Sequence, residues 1–241
     1  DRTVLSMVRP VIVIIFDSNT TEKKILPFMQ KKYIAANELL LDSFRLAATI
    51  YASGFRPDFL VGLWRGGSSV GITVQEGLEY YGVETDHIAI RTSYRGLHSY
   101  SQMVDKAETI QVHGLRYLHE RVCEHHSMLI VDDVYSTGLN VKAVIDRLAA
   151  RTKRNMPADC RVAVPWYKPA RNRTGRTPDY YLYETDDWLV LPYELNGLDR
   201  QDIETHKPFV APILDAVQGK DSARTGSQAE AGGRPRRTGR S

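Results

Sequence analysis

A chain of 241 residues with 42% hydrophobic content can bury one domain core with extensions, or a domain and a small lobe. The net charge of +3 is unevenly placed: residues 219–241 carry +4, leaving −1 on residues 1–218, so the globular part is not a basic nucleic-acid binder. Two cysteines, Cys123 and Cys160, exclude a disulfide framework, fit no zinc spacing and suit a reducing cytoplasm; no apolar run approaches the ~20 residues of a membrane helix.

Residues 1–32 read as an N-terminal appendage. Its longest apolar run, Val11 to Phe16, is expected to be an extra strand or a mis-set start upstream of the domain, and a turn follows over Asp17–Thr21. From Tyr33 the pattern changes. Leu39, Leu40, Phe44, Leu46, Ala47 and Ile50 recur at helical spacing, and Gly54 and Pro57 stop the helix. Phe59–Trp64 reads as a buried strand. A loop, Arg65-Gly66-Gly67-Ser68-Ser69, opens a helix reaching about Tyr81, with Gly82 as its cap. His87–Ile90 is the next strand. Residues 91–109 are polar and aperiodic, a length expected of a lid, and Thr109–Val112 is a short returning strand. Leu115–Cys123 reads as a helix. It leads to the strand Met128–Val131, a loop, and an amphipathic helix from Val141 to about Ala150. His125 and His126, just before that strand, read as surface residues. Arg161–Val164, Tyr180–Tyr183 and Trp188–Leu191 are strand-like, with a polar turn over Asn172–Pro178. A short helix lies within 201–218, and residues 219–241 form a basic tail expected to be disordered. Alternating strands and helices predict an α/β fold with a mainly parallel sheet, whose ligand site lies at the carboxyl ends of its strands. No internal repeat, GxGxxG or Walker A pattern is present.

The chemistry concentrates in Met128-Leu129-Ile130-Val131-Asp132-Asp133-Val134-Tyr135-Ser136-Thr137-Gly138-Leu139-Asn140. A strand, a tight loop and a helix N-terminus converge unpaired N–H groups and the helix dipole on one point, an anion site. Ser136 and Thr137 add hydroxyls. Asp132 and Asp133 repel a phosphate but accept hydrogen bonds from a diol or hold Mg²⁺. A phosphate beside a diol describes a sugar phosphate. Four apolar residues, two acids and a loop ending in Thr-Gly resemble the PRPP-binding motif of the type I phosphoribosyltransferases, and within them the purine branch.

The resemblance covers about Tyr33 to Leu198. It implies a mostly parallel five-stranded sheet flanked by helices, in a domain of residues 33–200 with a small hood from its C-terminal part. Tyr135, Ser136, Thr137, Gly138, Leu139 and Asn140 would hold the 5-phosphate, and Asp132 and Asp133 the ribose. Arg65-Gly66-Gly67 is similar to the family's pyrophosphate loop, in which glycines admit a close ligand and an Arg offers a planar fork. Ser93-Tyr94 is similar to the dipeptide that opens the mobile loop. Trp166-Tyr167-Lys168-Pro169, Pro178-Asp179-Tyr180 and Trp188-Leu189-Val190-Leu191-Pro192-Tyr193-Glu194 resemble the 6-oxopurine site. There Lys168 would donate to the 6-oxo group, Trp188 would stack on the base, and Leu189 would read the ring edge through its backbone. Asp133 and Glu194 would hold Mg²⁺.

One position departs from the pattern. The 6-oxopurine enzymes usually carry Asp before Thr-Gly as a base, and this chain has Ser136, a poor base at neutral pH. The reading is a cytoplasmic purine phosphoribosyltransferase, homo-oligomeric as the family commonly is, that moves ribose 5-phosphate from PRPP to a 6-oxopurine. The alternatives are an enzyme of this fold for another base and a non-enzymatic PRPP-sensing regulator.

Overall fold

The computed structural model describes residues 31–94 and 110–216, together with the short antiparallel strands β1 (Ile14–Ile15) and β2 (Lys24–Ile25). The chain divides into two compact units, one ending at Val190 and one beginning at Leu191.

The first unit is built on one sheet. Its parallel core is β4 (Phe59–Trp64), β5 (Asp86–Tyr94), β7 (Ser127–Val131), β9 (Asp159–Tyr167) and β10 (Tyr180–Glu184), in spatial order β10-β9-β7-β4-β5. This is the expected five-stranded parallel arrangement. An antiparallel edge strand, β6 (Ile110–His113), and a two-residue strand, β8 (Val134–Tyr135), extend it to seven. Met128, Leu129, Ile130 and Val131 are all fully buried, as a central parallel strand covered on both faces requires. Each such side chain contributes about 1.5–3 kcal/mol by leaving water.

Helix α1 (Ala36–Ala52) buries Leu39, Leu46, Ala47 and Ile50 as its spacing predicts. Leu40 and Phe44, counted on the same face from the sequence, stay about half exposed. The buried stripe instead includes Asp42 and Ser43. Asp42 accepts from Arg45 and from the Tyr183 hydroxyl (3.0 Å), and Ser43 donates to the Leu39 carbonyl (2.7 Å). Leu39, Asp42, Ser43, Leu46, Ala47 and Ile50 follow the i, i+3/i+4 spacing of a single helical face, which carries the two polar residues inward.

Helix α2 (Gly66–Tyr80) begins directly after β4, so Gly66, Gly67 and Ser68 form its first turn and not a free loop. Helix α3 (Arg116–Arg121) is shorter than the expected Leu115–Cys123. Helix α4 (Leu139–Thr152) starts two residues earlier than its apolar pattern, placing Leu139 and Asn140 in its first turn. Strand β5 runs on past Ile90 to Tyr94 because β6 supplies an antiparallel partner, with Ser93 opposite Gln111. Strand β3 (Lys31–Tyr33) pairs in parallel with β11 (Trp188–Val190), so the last residues of the expected appendage belong to the folded unit.

The second unit contains α5 (Arg200–His206), capped by Asp199, whose side chain accepts from the Asp202 amide, and a further helical turn over 211–216. Arg200 bridges Glu204 and Asp215. Among the described residues no helix is long and apolar enough to cross a membrane.

Candidate active site

Pro165 explains why the two acids leave the sheet. Strand β9 pairs with β7 as far as Ala163 and with β8 from Trp166, so its neighbour changes across Val164-Pro165. Proline has no N–H to donate there, which makes this the place where a partner strand can depart at no loss of a ladder bond. Asp132 still donates its amide to the Ala163 carbonyl (3.2 Å). The chain then turns on its own carboxylates: Asp132 Oδ1 accepts the Asp133 amide (3.0 Å), and Asp133 Oδ1 accepts the Val134 amide (2.7 Å). Val134-Tyr135 rejoins the sheet beside Trp166-Tyr167.

The loop into α4 closes over Tyr135. Gly138 adopts φ 74°, the left-handed region, and a Cβ there would lie 2.4 Å from the Tyr135 hydroxyl. Both the dihedral and the space demand glycine. Thr137 Oγ1 accepts the Leu139 amide (3.3 Å), a local turn bond just before the helix, while Ser136 beside it is half-buried. A second layer braces this loop. The Tyr135 hydroxyl bonds Thr174 Oγ1 (2.9 Å), Asn172 Oδ1 accepts from the Thr174 amide and hydroxyl, and the Arg173 amide donates to the Thr137 carbonyl (3.0 Å). Burial pushes the Tyr135 phenol up.

The Arg65-Gly66-Gly67 turn packs onto the acids. A Cβ on Gly67 would meet the Val131 carbonyl oxygen at 2.4 Å and the Asp132 Cα at 2.8 Å, so only glycine lets α2 start this close to the end of β7. The Gly67 amide stabilises the Asp132 carboxylate. That help is outweighed: desolvation first, and then the neighbouring Asp133 charge, hold the Asp132 carboxyl well above its ordinary range. Arg65 is exposed and follows a cis Trp64–Arg65 peptide. The structure therefore brings together Asp132, Asp133, the Tyr135–Asn140 loop and the Arg65–Gly67 turn, with the N-termini of α2 and α4 both at the carboxyl end of the sheet.

Lys168 ties the next element to this loop. It is buried (6% exposed); its amide donates to the Tyr135 carbonyl (2.9 Å) and its ammonium to the Asp187 carbonyl. Trp188, next in the chain, is half exposed, and the Lys31 ammonium lies 5.9 Å from the centre of its ring. Leu189 is buried and pairs with Lys32. Ser93 lies in the β5–β6 ladder, with its hydroxyl 3.0 Å from His113 Nε2. Tyr94 ends β5 opposite Ile110; its side chain and residues 95–109 of the expected lid lie outside the described residues.

Glu194 belongs to the second unit. Its Oε2 accepts the Leu191 amide (3.0 Å), and its own amide donates to the Leu191 carbonyl (3.0 Å). Lys207, buried beneath this turn, donates to the carbonyls of Leu191 (2.8 Å) and Pro192 (2.9 Å). Burial lowers the Lys207 pKa, and the Glu194 charge opposes that shift.

Sequence reasoning missed three features. Lys31 had no visible link to Trp188, because strand pairing joins them across more than 150 residues. Asn172 and Thr174 read only as a polar turn. Cys123, His125 and His126 come together in one turn, with His125 at the surface as expected and His126 half-buried; a Cys-x-His-His spacing was the available signal.

Residues 29–196 match the family described as the phosphoribosyl transferase domain. No curated protein sequence matches the chain. Among solved structures, a purine phosphoribosyltransferase from Pyrococcus horikoshii is similar at 23% identity and a TM-score of 0.52, covering 71% of this chain and 99% of that one. A hypothetical protein from Neisseria gonorrhoeae with bound ppGpp is similar at 19% identity and a TM-score of 0.55, covering 78% and 99%. The xanthine-guanine-hypoxanthine phosphoribosyltransferase of Helicobacter pylori is similar at 15% and 0.51, covering 73% and 100%. At these identities the likeness is one of fold, whereas the family match spans most of the chain and contains the whole Asp-Asp loop: this protein belongs to the phosphoribosyl transferase domain family.

Proposed function

We propose that this chain transfers ribose 5-phosphate from PRPP to a ring nitrogen of a 6-oxopurine, releasing pyrophosphate. The observation that supports the reading is the close approach of Gly67, in the first turn of α2, to Asp132, beside the loop that opens α4; helix starts of this kind suit anions. The Tyr135–Asn140 loop takes the 5-phosphate through backbone N–H groups and the hydroxyls of Ser136 and Thr137. Asp132 and Asp133 accept the ribose hydroxyls and favour the positive charge that grows on the sugar as the bond to pyrophosphate breaks. Arg65 and the first turn of α2 receive the departing pyrophosphate.

Two adjacent carboxylates, one destabilised by burial and by its neighbour, are a donor set that a hard divalent cation fits. Within this pair, Asp133 is the residue we assign to Mg²⁺, which when bound would neutralise the leaving group. Trp188 offers an exposed indole face for stacking, and Lys168, a donor only, selects a carbonyl over an amino group on the base.

The test is nucleotide formation by mass spectrometry, with PRPP and Mg²⁺, against hypoxanthine, guanine, xanthine, adenine, uracil and orotate. Product from a 6-oxopurine is expected. Product only from another base would refute the assignment of Lys168. PRPP binding without product from any base would favour a sensor, and then Ser136→Asp, which restores a carboxylate before Thr-Gly, is the variant expected to gain turnover.

A further inference from the structure

We propose that the turn Cys123-Glu124-His125-His126 is a binding site for a borderline-soft divalent cation of the zinc class, held by one thiolate and two imidazoles. One ligand atom from each of Cys123, His125 and His126 lies within 4.8 Å of the other two. Tetrahedral zinc has bonds of about 2.3 Å to sulfur and about 2.0–2.1 Å to nitrogen, so its ligand atoms sit roughly 3.3–3.6 Å apart. Closing the set takes about an ångström per pair, within the reach of side-chain rotation. The donors are sulfur and nitrogen with no carboxylate among the three, which selects against Mg²⁺ and Ca²⁺.

The backbone of the turn is already fixed. The His126 amide donates to the Cys123 carbonyl (3.1 Å), and the Ala158 amide donates to the Glu124 carbonyl (3.1 Å), fastening the turn to the start of β9. Phe59 packs edge-on against His126 with ring centres 5.2 Å apart, and the two imidazoles lie 4.5 Å apart. His126 Nδ1 accepts the Cys123 amide (3.0 Å). Coordination through Nδ1 exchanges that bond for the metal, whereas coordination through Nε2 takes the tautomer with its proton on Nδ1 and likewise gives up the Cys123 amide bond. The thiol also loses its proton to solvent on binding, so uptake releases protons. His125 is exposed and Cys123 half-buried, which leaves an entry path and a fourth position for water.

Cys160 serves as the contrast. It lies on β9 opposite Met128, half-buried like Cys123, and burial pushes its thiol up to about 11. It stays protonated and makes a poor ligand. The turn enters β7 at Ser127 and the Asp-Asp loop leaves it after Val131, about 13 Å apart at ~3.3 Å per residue. The cation site is therefore at the amino ends of the parallel strands, the opposite end of the sheet from the carboxylate pair. It stands whether or not the proposed transferase activity does.

The experiment titrates the full-length protein, reduced with a non-thiol reductant, with Co²⁺ and then displaces it with Zn²⁺. We expect one equivalent per chain, visible d–d absorption of tetrahedral intensity, and a thiolate charge-transfer band that Zn²⁺ abolishes. Cys123→Ser should remove the charge-transfer band, His125→Ala should weaken affinity at least tenfold, and Cys160→Ser should change neither. His125 is exposed, so its variant keeps the test decisive even if Cys123→Ser folds poorly. Absence of a charge-transfer band in the parent protein, or unchanged affinity in His125→Ala, overturns the proposal.

Discussion

Three glycines on one helix separate a demand of the site from a demand of packing. All lie in α2, so replacement by alanine raises helix propensity, by up to about 1 kcal/mol in the helix interior. A Cβ on Gly71 would meet Leu60 Cδ2 at 3.4 Å, ordinary contact, so Gly71→Ala should be neutral or stabilising by about 0.5–1 kcal/mol. On Gly77 it would lie 2.6 Å from the Ala47 Cβ, forcing α1 and α2 apart; overpacking of this kind costs about 1–3 kcal/mol. On Gly67 it would lie 2.4 Å from the Val131 carbonyl oxygen and 2.8 Å from the Asp132 Cα, both backbone atoms of the central strand and its acidic end. The cost falls in the same ~1–3 kcal/mol range, but the atoms that must yield carry the carboxylates. For a chain of this size 1 kcal/mol moves the Tm by about 2–4 °C. Thermal unfolding and KM for PRPP should be measured on all three variants. Gly67→Ala and Gly77→Ala should both lower the Tm. Only Gly67→Ala should raise KM for PRPP, by tenfold or more, and Gly71→Ala should do neither. If Gly67→Ala leaves KM unchanged, or Gly77→Ala raises it as much, the placement of the site at the Gly67–Asp132 contact is wrong.

Asp132→Asn should raise the Tm at neutral pH, measured without divalent cations, while abolishing turnover. The folded-state pKa of Asp132 is raised, so the folded protein binds more protons than the unfolded chain above the ordinary value near 3.8, and stability falls as pH rises from there towards the raised value. The variant's advantage should vanish below about pH 4 and grow with pH; a Tm difference that does not change with pH would contradict the assigned cause. Lys168→Met removes the donor that reaches the Asp187 carbonyl and strands that acceptor, so kcat/KM for a 6-oxopurine should drop at least tenfold while an aminopurine is less affected. Equal losses for both bases would assign Lys168 a purely structural role. Tyr135→Phe and Thr174→Val each break the bond bracing the phosphate loop, at a cost of about 1 kcal/mol. A double-mutant cycle on PRPP affinity should give less than the sum of the two effects, and strict additivity would show that the brace does not act on the loop.

The parts of the site that were legible are those in which a local string carries its own physics. The run from Met128 to Val131 is apolar throughout because both faces of the strand are covered, and the acids after it announce the place where it leaves the core. The Thr-Gly before α4 announces the left-handed turn that Gly138 adopts. Where apolarity was read alone it erred: Leu40 and Phe44 remain half exposed, because the buried face is the stripe Leu39, Asp42, Ser43, Leu46, Ala47 and Ile50, whose spacing takes in two polar residues and leaves those two apolar ones beside it. Ser93 and Tyr94 looked like the start of a loop, and β6 converts them to strand by pairing with them from the far side of it.

Amino-acid order alone thus determined which segments are buried strands, where the chain must turn, and which residue types stand at those turns, since each follows from interactions within a few residues. Which segments became neighbours was decided only in three dimensions. Lys31 meets Trp188 because two short strands pair, Gly67 bears on Asp132 because β4 and β7 are adjacent, and Cys123 faces two histidines because a turn closes on itself and is fastened to β9. Most of these contacts join residues far apart in the chain, and their cost in chain entropy is offset only when the whole core forms at once.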